Sequence, residues 1–184
     1  MLTATMGEQL ALKDELPDAS ELPVVRTLAA LVGAPAKTVR AHYRRGEPAH
    51  VGELGTTNGV FLAIEPLSDA KIASAVLRAL ASPIGRTLAP WKGKSFAADG
   101  GFGKNILYGF KAFGFRVEEG ASALDGKPTT VLRYGARGTK NPPGVRLIVD
   151  ELRRVGDGVA IGPMLLSIGK RPPIVVAWFG LETR

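Results

Sequence analysis

The chain contains no cysteine and only two histidines, His42 and His50. Without cysteine there is no disulfide framework, no thiol nucleophile and no thiolate metal ligand, a composition that fits a reducing compartment. The two histidines flank a Gly-Glu-Pro break and have no carboxylate at metal-ligand spacing, so no metal site is expected. No Gly-x-Ser-x-Gly elbow occurs, and no motif implies a cofactor. Apolar runs are short, well under the roughly 20 residues of a membrane-spanning helix. Met1 to Ala11 lacks a basic segment followed by an apolar one, and Glu8, Asp14, Glu15, Asp18 and Glu21 make the first stretch acidic. The expectation is a cytoplasmic protein with a flexible tail over 1–18 and a single domain over 19–184.

A phosphate loop is missing too. Gly93-Lys94-Ser95 and Gly103-Lys104-Asn105 both carry the Gly-Lys pair, but the glycine required five positions earlier is Leu88 in one case and Ala98 in the other. Both segments read as turns.

What remains is an ordinary globular composition, 45% apolar and 22% charged, in a chain long enough to bury one sizeable core. The charge is uneven: residues 1–92 carry a net +1 and residues 93–184 a net +6. A basic second half can attract anionic surfaces, with Arg133, Arg137, Lys140, Arg146, Arg153 and Arg154 as contacts. These residues are scattered along the sequence, and nucleic acid is not the expected partner.

Hydropathy patterning divides the chain into a helical part over 19–90 and a β part over 91–184. Val25, Leu28, Ala29 and Val32 recur at helical spacing within Leu22–Val32, which Gly33 and Pro35 stop. Ala36–Arg45 reads as a second helix ended by Gly46, and Asn58–Ile64 as a strand or an apolar anchor against the core. Asp69–Ala81, capped by Ser68, carries the apolar stripe Ile72, Val76 and Leu80. After Trp91 the spacing changes. Candidate strands are Lys104–Phe110, Ala112–Glu119, Thr129–Tyr134, Val145–Val155, Val159–Leu166 and Ile174–Leu181, separated by turn signals such as Asp125-Gly126 and Asp157-Gly158. Short strands joined this way form an antiparallel meander.

Side-chain parity adds detail. Phe113, Phe115 and Val117 alternate with Gly114, Arg116 and Glu118, giving one buried and one wet face. Ile174–Leu181 is apolar on both faces and therefore needs cover on both. The N-terminal helices are the natural outer cover, with Ile72, Val76, Leu80 and either Val175 or Phe179 buried, so a fragment starting at Pro90 is not expected to fold. Asp150 and Glu151 sit inside an apolar strand, so one of them faces the core. It needs a partner there, either Arg133, Arg146 or Arg153, or else it serves as a polar anchor or general acid/base in a pocket.

The segments Pro90-Trp91-Lys92-Gly93-Lys94-Ser95-Phe96, Asp125-Gly126-Lys127-Pro128 and Ile148 to Met164 resemble poorly characterised bacterial proteins. These look like small lipocalin-like (calycin-type) barrels, some with a Gly-x-Trp-x-Gly element. Where that element would have its tryptophan and second glycine, this chain has Phe61 and Ala63. The resemblance implies an α+β fold in which N-terminal helices pack on a meander closing into a lipocalin-like barrel. It also implies a hydrophobic or amphipathic small molecule bound inside. An open α+β cone of the nuclear-transport-factor-2 type is the rival architecture. Candidate ligand contacts are the aromatics Trp91, Tyr108, Phe113, Phe115, Tyr134 and Trp178, together with Met164 and the acids Asp150 and Glu151. An isomerase, cyclase or dehydratase working through the pocket carboxylate is the alternative function.

Overall fold

The computed structural model describes residues 22–65 and 91–184. The tail over 1–18 and the helix Asp69–Ala81, with Ile72, Val76 and Leu80, lie outside the described residues. The elements, in chain order, are a 3-10 turn Leu28–Leu31, α1 (Ala36–Arg45), β1 (Glu47–Pro48), α2 (Val51–Leu54), β2 (Thr57–Ile64) and β3 (Trp91–Phe96). They continue with β4 (Phe102–Leu107), β5 (Phe110–Ala121), β6 (Pro128–Arg133), β7 (Ile148–Gly156), β8 (Val159–Leu166) and β9 (Ile174–Thr183). The strands after β2 pair antiparallel in the order β2-β9-β8-β7-β6-β5-β4-β3.

The two ends of that order meet, so the sheet is a nearly closed barrel rather than an open cone. Phe96 N–H donates to the Gly55 carbonyl at 2.7 Å, and Thr56 bridges Ser95. The Thr57 hydroxyl donates to the Lys94 carbonyl at 3.0 Å and accepts from the Lys94 N–H at 3.2 Å, substituting for a ladder rung. Gly93 makes this approach possible. Its φ is +136°, and a Cβ there would stand 2.2 Å from the Thr57 carbonyl oxygen.

Period-two alternation sorts the barrel into two cores. Phe96, Phe115, Leu132, Tyr134, Leu152 and Phe179 pack inside, where Ala49 and Val51 of the β1–α2 segment plug one end. Val25, Leu28, Leu31, Val39, Tyr43 and Trp178 form a second core on the outer face, with α1 laid across β2, β7 and β8. The Tyr43 and Trp178 rings meet edge to face at 5.5 Å. The two-faced apolar character of β9 is thereby explained: Phe179 looks in and Trp178 looks out.

Several expectations change. Leu22–Val32 forms only one 3-10 turn, because Leu28 and Leu31 anchor on the outer core while Val24 and Val32 stay exposed. With few helices among the described residues, the fold is mostly β. Gly93-Lys94-Ser95 and Gly103-Lys104-Asn105 are strand segments of β3 and β4, not turns. The fragment Pro90–Arg184 would lack β2 and leave β3 and β9 as open edges. It is expected to give a far-UV spectrum without cooperative thermal loss, whereas the full chain unfolds in one transition.

Candidate functional site

Asp150 of β7 points into the barrel, and its partner is Lys94 of β3. The Lys94 ammonium donates to Asp150 Oδ2 at 2.7 Å, to the Tyr134 hydroxyl at 2.6 Å and to Asn105 Oδ1 at 2.9 Å. Its three protons are all used. Asn105 Oδ1 also accepts from Trp91 Nε1 at 3.0 Å, and Asn105 Nδ2 donates to the Tyr134 hydroxyl at 2.9 Å. Tyr134 in turn donates to Asp150 Oδ2 at 3.0 Å. One atom stands outside this closed circuit: Asp150 Oδ1 is buried and no donor among the described residues reaches it.

An ion pair removed from water this fully must recover its hydration elsewhere. Four rings assist, because the Lys94 ammonium lies 4.9 to 5.5 Å from the centroids of Phe179, Phe115, Tyr134 and Trp91. Burial pushes the Lys94 ammonium below its ordinary pKa, and Asp150 only partly restores it. Burial, then the charge of Asp150, raises the Tyr134 hydroxyl well above its ordinary value, so it stays a neutral donor.

The cluster sits toward the end of the barrel opposite the α2 plug. Phe61 is in register with Phe179 on β9, meets the Trp91 ring at a tilt with centroids 5.1 Å apart and is 45% exposed. Trp91, Phe113, Ile148 and Met164 pack against the inner core while only partly buried. This end, called the mouth below, therefore carries partly exposed apolar side chains above a buried polar cluster.

Of the residues singled out from sequence, the barrel brings together Trp91, Phe115, Tyr134 and Asp150, with Phe113 and Met164 against the same core. Three fall elsewhere. Tyr108 is exposed in the β4–β5 turn at φ +51°. Trp178 faces outward, and so does Glu151. Under α1, Glu151 accepts from the Tyr43 and Ser122 hydroxyls and from the Ala123 N–H. None of the arginines expected beside Asp150 reaches it: Arg133 pairs with Glu118 on the surface, and Arg153 pairs with Asp125 on the outer face. Lys94 and Asn105 were missed. The available signal was parity, since Lys94 shares a strand face with the buried Phe96, and a buried acid requires a buried cation.

A cavity of about 390 Å³ lies outside the barrel between Pro23–Val25, the end of α1 and the β7–β8 turn. His42 lines it, with Nε2 buried and unpartnered among the described residues. Burial, aided by Arg45, lowers the His42 pKa below its ordinary 6.5. The folded state then binds this proton less readily than the unfolded one. Stability should be fully present above pH 6.5 and decline as pH falls from there through the folded pKa. Urea titrations at stepped pH should show that acid slope reduced in His42→Leu.

No helix among the described residues is long and apolar enough to cross a membrane. No family model matches the chain, and no curated protein matches it. A crystal structure of a protein from Thermomonospora curvata is similar over 85% of this chain and 93% of its own, with a TM-score of 0.45 and 20% identity.

Proposed function

We propose that the barrel is a lipocalin-like carrier that takes an apolar or amphipathic small molecule through its aromatic mouth and reads the polar end on Asp150. The observation that carries this reading is the unpartnered Asp150 Oδ1 below Trp91, Phe61 and Phe113. A buried acceptor without a donor costs about 1–3 kcal/mol, more when charged, and a ligand hydroxyl or N–H would recover it. The floor offers no spare donor, since Lys94 spends its three protons on Asp150, Tyr134 and Asn105, and Tyr134 spends its one on Asp150. The ligand head is accordingly a hydrogen-bond donor rather than a carboxylate.

Naphthol, methoxynaphthalene and naphthoate share one apolar body and differ in that head. Fluorescence titration at neutral pH should rank naphthol at least about tenfold above the other two, the worth of one hydrogen bond to a charged group. Asp150→Asn should erase the ranking. If no member of the series binds, and purified protein carries no extractable ligand, the carrier reading is wrong.

A further inference from the structure

Among the described residues, the antiparallel order places three connections at the mouth end: β4–β5 (residues 108–109), β6–β7 (134–147) and β8–β9 (167–173), beside the end of β2. Large apolar side chains are exposed there. Ile64, Tyr108, Phe110, Leu147 and Ile168 are between 41% and 77% exposed, and with Phe61 they account for six of the eight exposed large apolar residues among those described. Apolar side chains scattered singly need no explanation, but gathering at one end of a barrel does.

The same connections are strongly basic. Lys111, Arg137, Lys140, Arg146, Lys170 and Arg171 are all exposed, and none forms a salt bridge among the described residues. Residues 108–111, 134–147 and 167–173 contain no Asp or Glu. The nearest carboxylate in sequence to this rim, Glu65 beside Ile64, is held by Arg40 at 2.6 Å and by Trp178 Nε1 at 2.7 Å. A rim that presents apolar tips among unpaired cations matches one kind of surface. It is the headgroup layer of an anionic bilayer, where the tips enter the acyl boundary and the cations stay with the phosphates.

We infer that the mouth end docks on anionic lipid bilayers, with Ile64, Phe110, Leu147 and Ile168 inserting and the six cations contacting headgroups. Single-stranded nucleic acid fits less well, because three of the six exposed tips, Ile64, Leu147 and Ile168, are aliphatic and provide no ring on which a base can stack. The inference stands apart from the carrier reading, since docking requires no ligand inside the barrel. If both hold, an amphipathic ligand would pass between bilayer and barrel without crossing bulk water.

Cosedimentation of the full chain with vesicles of equal parts phosphatidylglycerol and phosphatidylcholine tests it, with pure phosphatidylcholine vesicles alongside. Binding is expected on the anionic vesicles, weaker by about tenfold or more on the neutral ones, and falling with added salt. Each basic residue near such a surface strengthens binding about fivefold, so the pair Arg137→Glu and Lys140→Glu should reduce it more than tenfold. Phe110→Ser with Ile168→Ser should reduce it at constant charge, while Arg154→Glu at the opposite end should leave most of it. These sites are exposed, so circular dichroism should be unchanged throughout. Absence of binding at low salt, loss equal for Arg154→Glu and the mouth variants, or capture of a single-stranded oligonucleotide in preference to the anionic vesicles would overturn the inference.

Discussion

Replacing Lys94 by methionine should destabilise the fold by about 3–5 kcal/mol, the usual cost of leaving one member of a buried ion pair alone. The side chain is 3% exposed and Asp150 4%. Removing the ammonium leaves Asp150 as an unpaired charge inside four aromatic rings, and it frees acceptor positions on Tyr134 and Asn105. The effect does not measure the worth of the pair, because most of it is the penalty on the abandoned carboxylate. Lys94→Met combined with Asp150→Leu removes both charges and should recover most of the loss, since two apolar groups of similar volume can replace a buried pair at little net cost. Urea unfolding of the two single variants and the double gives the coupling directly. Equal stability of Lys94→Met and the native chain would show that the amine carries no buried charge. The double variant should also lose discrimination among ligand heads while still accepting the apolar body, which separates stability from recognition.

The second large effect concerns two adjacent arginines. Arg153 is fully buried and grips Asp125 through two bonds of 2.8 Å. It also donates to the Lys127 and Pro128 carbonyls and lies 4.4 Å over the Tyr43 ring. Arg153→Met should cost about 3–5 kcal/mol, because Asp125 loses its counter-charge and the carbonyls lose their donor. Arg154 turns to the other face of β7, where it pairs with Glu47 with both side chains more than half exposed. Arg154→Met should change stability by under about 1 kcal/mol. The pH dependence follows the same division. Burial opposes ionisation of Asp125, but the Arg153 guanidinium and the Lys127 N–H outweigh it and hold the carboxyl below its ordinary value of 3.8. That stabilisation is present above pH 3.8, is lost as pH falls through the folded pKa, and should be missing from Arg153→Met. Chemical denaturation at two pH values is sufficient to see it.

Both cases show where sequence reading stops. Parity correctly required that Asp150 and Glu151 face opposite sides, and it left open which was inside. The structure buries both, Asp150 in the barrel and Glu151 under α1, because the strand is covered on each face. The partners were not legible, since Lys94 and Tyr43 lie 56 and 108 residues from the acids they hold. Nothing local distinguishes the Gly-Lys of a turn from the Gly-Lys of a strand that closes a barrel. The bounds of strand β8 and helix α1 were legible to the residue, because Gly158 precedes β8 in a turn and Pro35 and Gly46 bracket α1.

Alternation, turn chemistry and helix stops are properties of neighbouring residues, so the sequence by itself determined the succession of strands from β5 to β9, the alternation of faces along them and the place of α1, while β3 read as a turn. Strand order and closure are properties of the whole chain. Only the tertiary structure decided that β2 meets β3 across Thr57 and Gly93, that Asp150 is answered by Lys94, and that one carboxylate oxygen goes unanswered. It also decided the meaning of the charge. Lys111, Arg137, Lys140, Arg146, Lys170 and Arg171 are dispersed along the sequence, yet an up-and-down barrel sends every second connection to the same end. Six scattered cations become one basic rim around the mouth for that reason alone.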